Sequence, residues 1–80
     1  MPTLLRERGY RVYFYSHEPN EPPHLHVDKD GKSAKFWLLP LQLSWNMGYS
    51  AKELNEIHDL LLANQTLLWD GWHGYFGTSI

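Results

Sequence analysis

The eighteen residues from Glu21 to Leu38, EPPHLHVDKDGKSAKFWL, constrain this chain more than any other stretch. Two runs of alternating apolar and polar residues flank Asp30-Gly31, a dipeptide that favours a two-residue turn. The segment therefore predicts a β-hairpin whose register can be written pair by pair. Lys29 opposes Lys32, Asp28 opposes Ser33, Val27 opposes Ala34, His26 opposes Lys35, and His24 opposes Trp37. Directly opposed residues share one side of an antiparallel pair. One face thus carries Leu25, Val27, Ala34, Phe36 and Leu38, and the other His24, His26, Asp28, Ser33, Lys35 and Trp37. Pro22 and Pro23 withhold backbone donors ahead of the first strand, which suits a strand start or an edge, and the bond between them is a candidate for the cis form.

Ahead of this hairpin, Thr3 to Arg6 is a short strand candidate, Arg8-Gly9 a turn, and Tyr10 to Ser16 a strand rich in aromatic residues. Period-two alternation puts Tyr10, Val12 and Phe14 on one side, the expected core side, and Arg11, Tyr13 and Tyr15 on the other. Residues 17–23 form an irregular, proline-rich connection. After the central hairpin, Pro40 ends the strand, and Leu39 to Gly48 is expected to be a loop or a short turn of helix. Ser50 with Glu53 forms a capping box, and Tyr49 with Leu54 is placed as a hydrophobic staple, so a helix starts there. Leu54, Ile57, Leu61, Leu68, Trp72 and Tyr75 make one helical stripe, with His58, Gln65 and Phe76 on its shoulder. Gly71 and Gly74 weaken the last turns, with fraying or bending expected after Asp70 and disorder from Gly77. The expected architecture is α+β, a single domain over residues 1–80: a small antiparallel sheet of about four strands in two hairpins, with one long C-terminal helix packed on one face. The other face of the sheet is then open.

At 80 residues the chain sits near the size at which one core gives only marginal stability, though four Trp, five Tyr and three Phe bury much area per residue. The absence of cysteine removes disulfide staples and thiolate metal sites and fits a reducing, cytoplasmic setting. Charge interrupts MPTLLRERGYR after two leucines, and no apolar run is long enough for a bilayer, so neither a signal peptide nor a membrane span is expected. A net charge of −2 with neutral histidines argues against nucleic-acid binding through bulk positive charge, although five histidines allow a local basic face.

The polar side of the hairpin admits three kinds of chemistry. His24 and His26 form an H-x-H pair about 6.5 to 7 Å apart at the Cα atoms, which can hold a divalent transition metal if Asp28, His17 or His73 adds a third ligand. Alternatively Lys35, opposite His26, keeps that imidazole neutral as a general base, while Lys35 or Arg11 stabilises a negatively charged transition state, the logic of metal-independent ribonucleases. Tyr13, Tyr15 and Trp37 would then stack unpaired bases. The plainest reading is that the hairpin simply turns its polar side to water. His73, beside Trp69 on the helix, is expected to satisfy a carbonyl or a sheet residue. Leu60 and Leu62 exceed one buried stripe and are expected to form an apolar shoulder for a partner chain or a homodimer.

The start MPTLLR, the strand YRVYFYS, the segments EPPHLHV and AKFWL, Gly48-Tyr49-Ser50 and the terminal WHGYFG together resemble a small bacterial family, the domain-of-unknown-function family numbered 4160. The combination of EPPHLHV with AKFWL carries most of the resemblance. It implies a cognate small partner protein encoded alongside, in pairs that look like toxin-antitoxin modules, with RNA as a target. Carried over by motif, its candidate positions are His24, His26, Lys35, Trp72 and His73. The expectation drawn from all of this is a toxin-like component that contacts RNA through the open sheet face, with His24, His26 and Lys35 as catalytic candidates and Arg11, Tyr13, Tyr15, Trp37, Trp72 and His73 as binding candidates. The alternatives are a non-enzymatic protein-binding module and a metal-binding protein centred on His24 and His26.

Overall fold

The computed structural model describes residues 3–15 and 21–76. The proline-rich connection before Glu21, with His17, and the tail from Gly77 lie outside the described residues. Among the described residues five antiparallel strands run in sequence order, β1 (Thr3–Glu7), β2 (Tyr10–Tyr13), β3 (His24–Lys29), β4 (Lys32–Leu38) and β5 (Leu41–Met47), and two helices follow, α1 (Ala51–Ala63) and α2 (Gln65–Phe76). The α+β class stands as expected. The four-strand, one-helix version is corrected in two places.

The first correction is β5. Pro40 ends β4 as expected, but it only turns the chain: Leu39 and Pro40 form the turn, and Leu41–Met47 returns along β4, with Leu38 opposite Leu41 and Ser33 opposite Met47. The signal was present in LQLSWNM, whose apolar residues alternate strictly with polar ones. Pro40 and Gly48, read as loop punctuation, instead bracket a strand. Among the described residues the cis peptide bond is Leu39–Pro40 rather than Pro22–Pro23.

The second correction is a break at Asn64. Its side-chain amide donates to the Leu60 carbonyl at 2.9 Å and its backbone N–H to that of Leu61, which ends α1. Asparagine competes for backbone groups in this way and so favours helix ends. Past the break, α2 runs through Gly71 and Gly74 to Phe76, so the expected bend after Asp70 is displaced to Asn64. Gly71 has a packing reason: a Cβ there would lie 2.7 Å from Leu4 Cδ2, where α2 reaches β1.

The central hairpin has the expected register at every pair, from His24 opposite Trp37 to Lys29 opposite Lys32. The Ser50–Glu53 capping box closes in both directions. Tyr10, Val12 and Phe14 from β2 and its end, Leu25, Val27, Ala34, Phe36 and Leu38 from the hairpin, and Ile57, Leu61, Leu68 and Trp72 from the helices form one buried cluster. Tyr75 departs from the expected stripe and is 54% exposed. Leu60, expected at a partner-facing shoulder, is buried in the core, because the turn at Asn64 redirects the chain and α1 faces the sheet with Ile57, Leu60 and Leu61 together. Leu62 remains exposed. Tyr49 ties helix to sheet: its hydroxyl donates to the Val27 carbonyl at 3.0 Å and lies 3.3 Å from that of Lys32.

Candidate functional site

The sheet face opposite the helices carries Arg11, Tyr13 and Tyr15 alongside His24, His26, Lys35 and Trp37. Pairing of Tyr13 with His26 and of His26 with Lys35 sets three of these in one row across β2, β3 and β4. Six rings form a connected network whose hub is His26. Its ring stacks on Tyr13 at 5.5 Å between centroids and meets Tyr15 at 4.6 Å, His24 at 5.4 Å and Trp45 at 6.1 Å; His24 in turn meets Trp37 at 5.9 Å.

Trp45 reaches this face because β5 carries a bulge. Lys35 pairs with Trp45 but Phe36 pairs with Leu43, so Ser44 is left without an opposite residue. An extra residue in one strand shifts its alternation by one. Ahead of the bulge Leu43 points to the helix side, where it lines a groove of about 290 Å³ with Phe36, Ala51, Leu54, Asn55 and His58. Beyond it Trp45 and Met47 lie on the side of Lys35 and Ser33. The alternation in the sequence, taken alone, would have put all four apolar residues of β5 on one face.

The candidate acid-base residues are deeply enclosed. His24 is fully buried, His26 is 5% exposed and Lys35 is 9% exposed. His24 Nδ1 lies 2.9 Å from the Pro22 carbonyl and 3.9 Å from a Glu21 carboxylate oxygen. The same oxygen accepts from Lys35 Nζ at 2.5 Å, and Lys35 also sits over the Trp37 ring at 4.6 Å. Glu21, the first residue of the EPPHLHV segment, thus holds the ammonium group expected from the sequence to act on His26 or on a phosphate. Its position two residues ahead of Pro23 gave no geometric clue to this, because the bond crosses from the chain leading into β3 to the middle of β4.

On the outer side of the network the Arg11 guanidinium lies over the Tyr13 ring at 4.4 Å. Tyr13 donates its hydroxyl to Asp28, which also accepts from Ser33. Burial first, and then hydrogen bonds with Tyr15 and Asp28, push the Tyr13 phenol well above its ordinary value, so it acts as a neutral donor. Asp28 is therefore spoken for by Tyr13 and Ser33. Among the described residues no three His, Asp or Glu side chains gather as a metal would need. His73 and Trp72 are not on this face: Trp72 is 2% exposed within the core cluster, and His73 packs against Trp69 with 4.1 Å between ring centroids and against Trp72 at 5.3 Å. The network thus unites six of the sequence candidates with Arg11 on its rim, separates Trp72 and His73 from them, and adds Trp45 and Glu21.

The two sheet edges differ as well. β1 has Arg6 and Glu7 exposed and lies against α2. β5 exposes Leu43 (39%), Trp45 (40%) and Met47 (65%), and the adjoining Leu39 is 69% exposed. No helix among the described residues is long and apolar enough to cross a membrane.

Together these features define a small α+β domain in which the sheet face expected to be open is instead enclosed, with Tyr13, His24, His26 and Lys35 buried, and in which β5 exposes Leu43, Trp45 and Met47. The chain belongs to the family described as domain of unknown function DUF4160, whose family model matches residues 9–73. No curated protein and no solved structure matches it.

Proposed function

We propose that this chain is a non-enzymatic protein-binding module that presents the β5 edge, with Trp45 and Trp37 beside it, to a partner protein. One observation carries the reading. His24, His26 and Lys35, the residues a ribonuclease would need to show its substrate, are buried and engaged inside the fold, whereas Leu39, Leu43, Trp45 and Met47 stand exposed along one strand edge. A general acid or base must come within hydrogen-bond reach of the reacting atoms, and here the His24 imidazole is fully buried and His26 nearly so. An unpaired strand edge with apolar flanks offers main-chain hydrogen bonds and side-chain contacts to another chain. The cognate small protein encoded alongside is the natural candidate, within a toxin-antitoxin-type pair and in the cytoplasm.

A second reading has its own support. Arg11 over Tyr13, Lys35 over Trp37, and Trp45 nearby alternate cations with rings, which suits stacking of unpaired RNA bases. Against it, Arg6, Arg11 and Lys35 are set against Glu21 and Asp28, so this face has no strong basic field.

Co-expression with the product of the adjacent gene separates the two. The binding-module reading expects that product to co-purify with wild type in fixed ratio and to be lost from Trp45→Ala, with growth and cellular RNA unaffected by wild type alone. RNA cleavage and slowed growth with wild type, both lost in a His24→Ala, His26→Ala double variant, would replace it by the toxin-like ribonuclease.

A further inference from the structure

Two lysines of the sheet have a carboxylate at hand: Lys32 pairs with Glu53 at 2.6 Å and Lys35 with Glu21 at 2.5 Å. Among the described residues Arg6 and Arg11 have none. They stand directly opposite each other in the β1–β2 pair, on the sheet face away from the helices, and like charges placed this way repel. Asp28 lies opposite Arg11 across β2 and β3, but both of its oxygens accept from hydroxyls, one from Tyr13 at 2.9 Å and the other from Ser33 at 2.7 Å.

Arg11 is also held in one pose. Its Nε–H donates to the Thr3 hydroxyl at 2.9 Å, and its guanidinium lies over the Tyr13 ring at 4.4 Å. That ring is itself fixed by its bond to Asp28 and by stacking on His26. The terminal N–H groups of Arg11 have no partner among the described residues, and a planar fork held still in this way matches an oxyanion with two parallel hydrogen bonds. Arg6 and Thr3 are exposed and Arg11 is half-buried, so the group is reachable from solvent. The Thr3 hydroxyl accepts from Arg11 and keeps its own proton to donate.

We propose that Arg6, Arg11 and the Thr3 hydroxyl form a carboxylate-binding site that takes an Asp or Glu side chain of the partner protein. The proposal rests on the protein-binding reading and adds to it an acidic residue on the partner, received at the other side of the sheet from β5. Charge decides the class of ligand. Two guanidinium charges less that of Asp28 leave one positive charge, which a single carboxylate neutralises. A nucleic acid would bring further phosphates along its backbone, each calling for a cation. Among the described residues the other lysine or arginine of this face is Lys35, already held by Glu21.

NMR of the arginine side-chain nitrogens in the purified chain tests this, at low ionic strength where exposed charges are least screened. Three probes are titrated to millimolar concentration: a short peptide with one glutamate, its glutamine counterpart, and a uridine dinucleotide with one phosphodiester. The glutamate peptide is expected to shift the Arg11 and Arg6 signals saturably, and the other two probes to leave them in place. Arg6→Ala is expected to lose the shift at Arg11. Arg11→Lys, which keeps the charge but not the fork, is expected to lose the shift at Arg6, with circular dichroism unchanged in both variants. The proposal is overturned by no shift, by a shift that grows without saturating, by an equal response to the glutamine peptide, or by a full response in folded Arg11→Lys. A stronger response to the dinucleotide overturns it in favour of a phosphodiester site. A chain that ignores the glutamate peptide yet co-purifies with the adjacent gene product sinks the carboxylate site alone and leaves the binding-module reading standing.

Discussion

The two edges of the sheet are finished in opposite ways. At β1, Gly71 lets α2 come close enough for its backbone to meet Leu4, and Arg6 and Glu7 face outward. At β5 three side chains, Leu43, Trp45 and Met47, are exposed apolar groups. Even their tryptophans contrast: Trp72 on α2 is 2% exposed in the core, Trp45 on β5 is 40% exposed at the rim. The difference teaches that apolar residues in a small domain are not interchangeable evidence of core. In β5 the same composition that elsewhere closes the fold is turned outward by strand position and by a bulge.

The largest effect that would sharpen this contrast is on stability. Trp72→Ala is expected to cost about 3–5 kcal/mol, the range for emptying a large buried site, and so to unfold much of a domain this size in chemical denaturation. A Trp72→Ala variant of near wild-type stability would break the assignment of that side as closed. Next comes Gly48, where β5 turns into α1 with φ of +103° and a Cβ would lie 2.8 Å from Lys32 Cγ. Left-handed backbone penalises a side chain, so Gly48→Ala is expected to lose about 1–2 kcal/mol by the same measurement. Tyr49→Phe removes the hydroxyl bonded to the Val27 carbonyl and is expected to lose about 1 kcal/mol.

A smaller effect lies at the helix start. The Lys32 ammonium, 2.6 Å from the Glu53 carboxylate, and the Ser50 backbone N–H hold that carboxyl down from 4.5 to about 2. Between those values the unfolded chain takes up a proton that the folded chain does not. The stability Glu53 contributes is therefore complete above pH 4.5 and is lost as the pH falls towards 2. Glu53→Gln is expected to flatten the stability profile in that window, and an unchanged acid limb would show that the pair contributes nothing. The smallest effect belongs to the open edge: Met47→Lys is expected to leave monomer stability within about 0.5 kcal/mol of wild type, as exposed substitutions do.

Much of this was readable where local rules act alone. Asp30-Gly31 fixes a two-residue turn, so every pair from Lys29–Lys32 to His24–Trp37 followed from the sequence. Ser50 and Glu53 set the helix start in the same way. β5 was hidden because Pro40 withholds a donor, which ends one strand without preventing the next. The bulge at Ser44 was hidden more deeply, since an alternating segment gives no sign that its alternation will be shifted, and only pairing with Lys35 and Phe36 reveals it. For the site, the sharing of one face by His24, His26 and Lys35 was legible from period two. Their burial was not, because it depends on Tyr13, Tyr15, Trp45 and Glu21 arriving from other parts of the chain.

The most direct test of the contrast between the edges is backbone amide hydrogen exchange, followed residue by residue with and without the co-expressed product of the adjacent gene. Exchange slows when an amide gains a partner, and it reports each edge separately. Slower exchange in residues 41–47 when that product is bound, with residues 3–7 unchanged, is the predicted result. Unchanged exchange in β5, or added protection in β1 instead, would contradict the account.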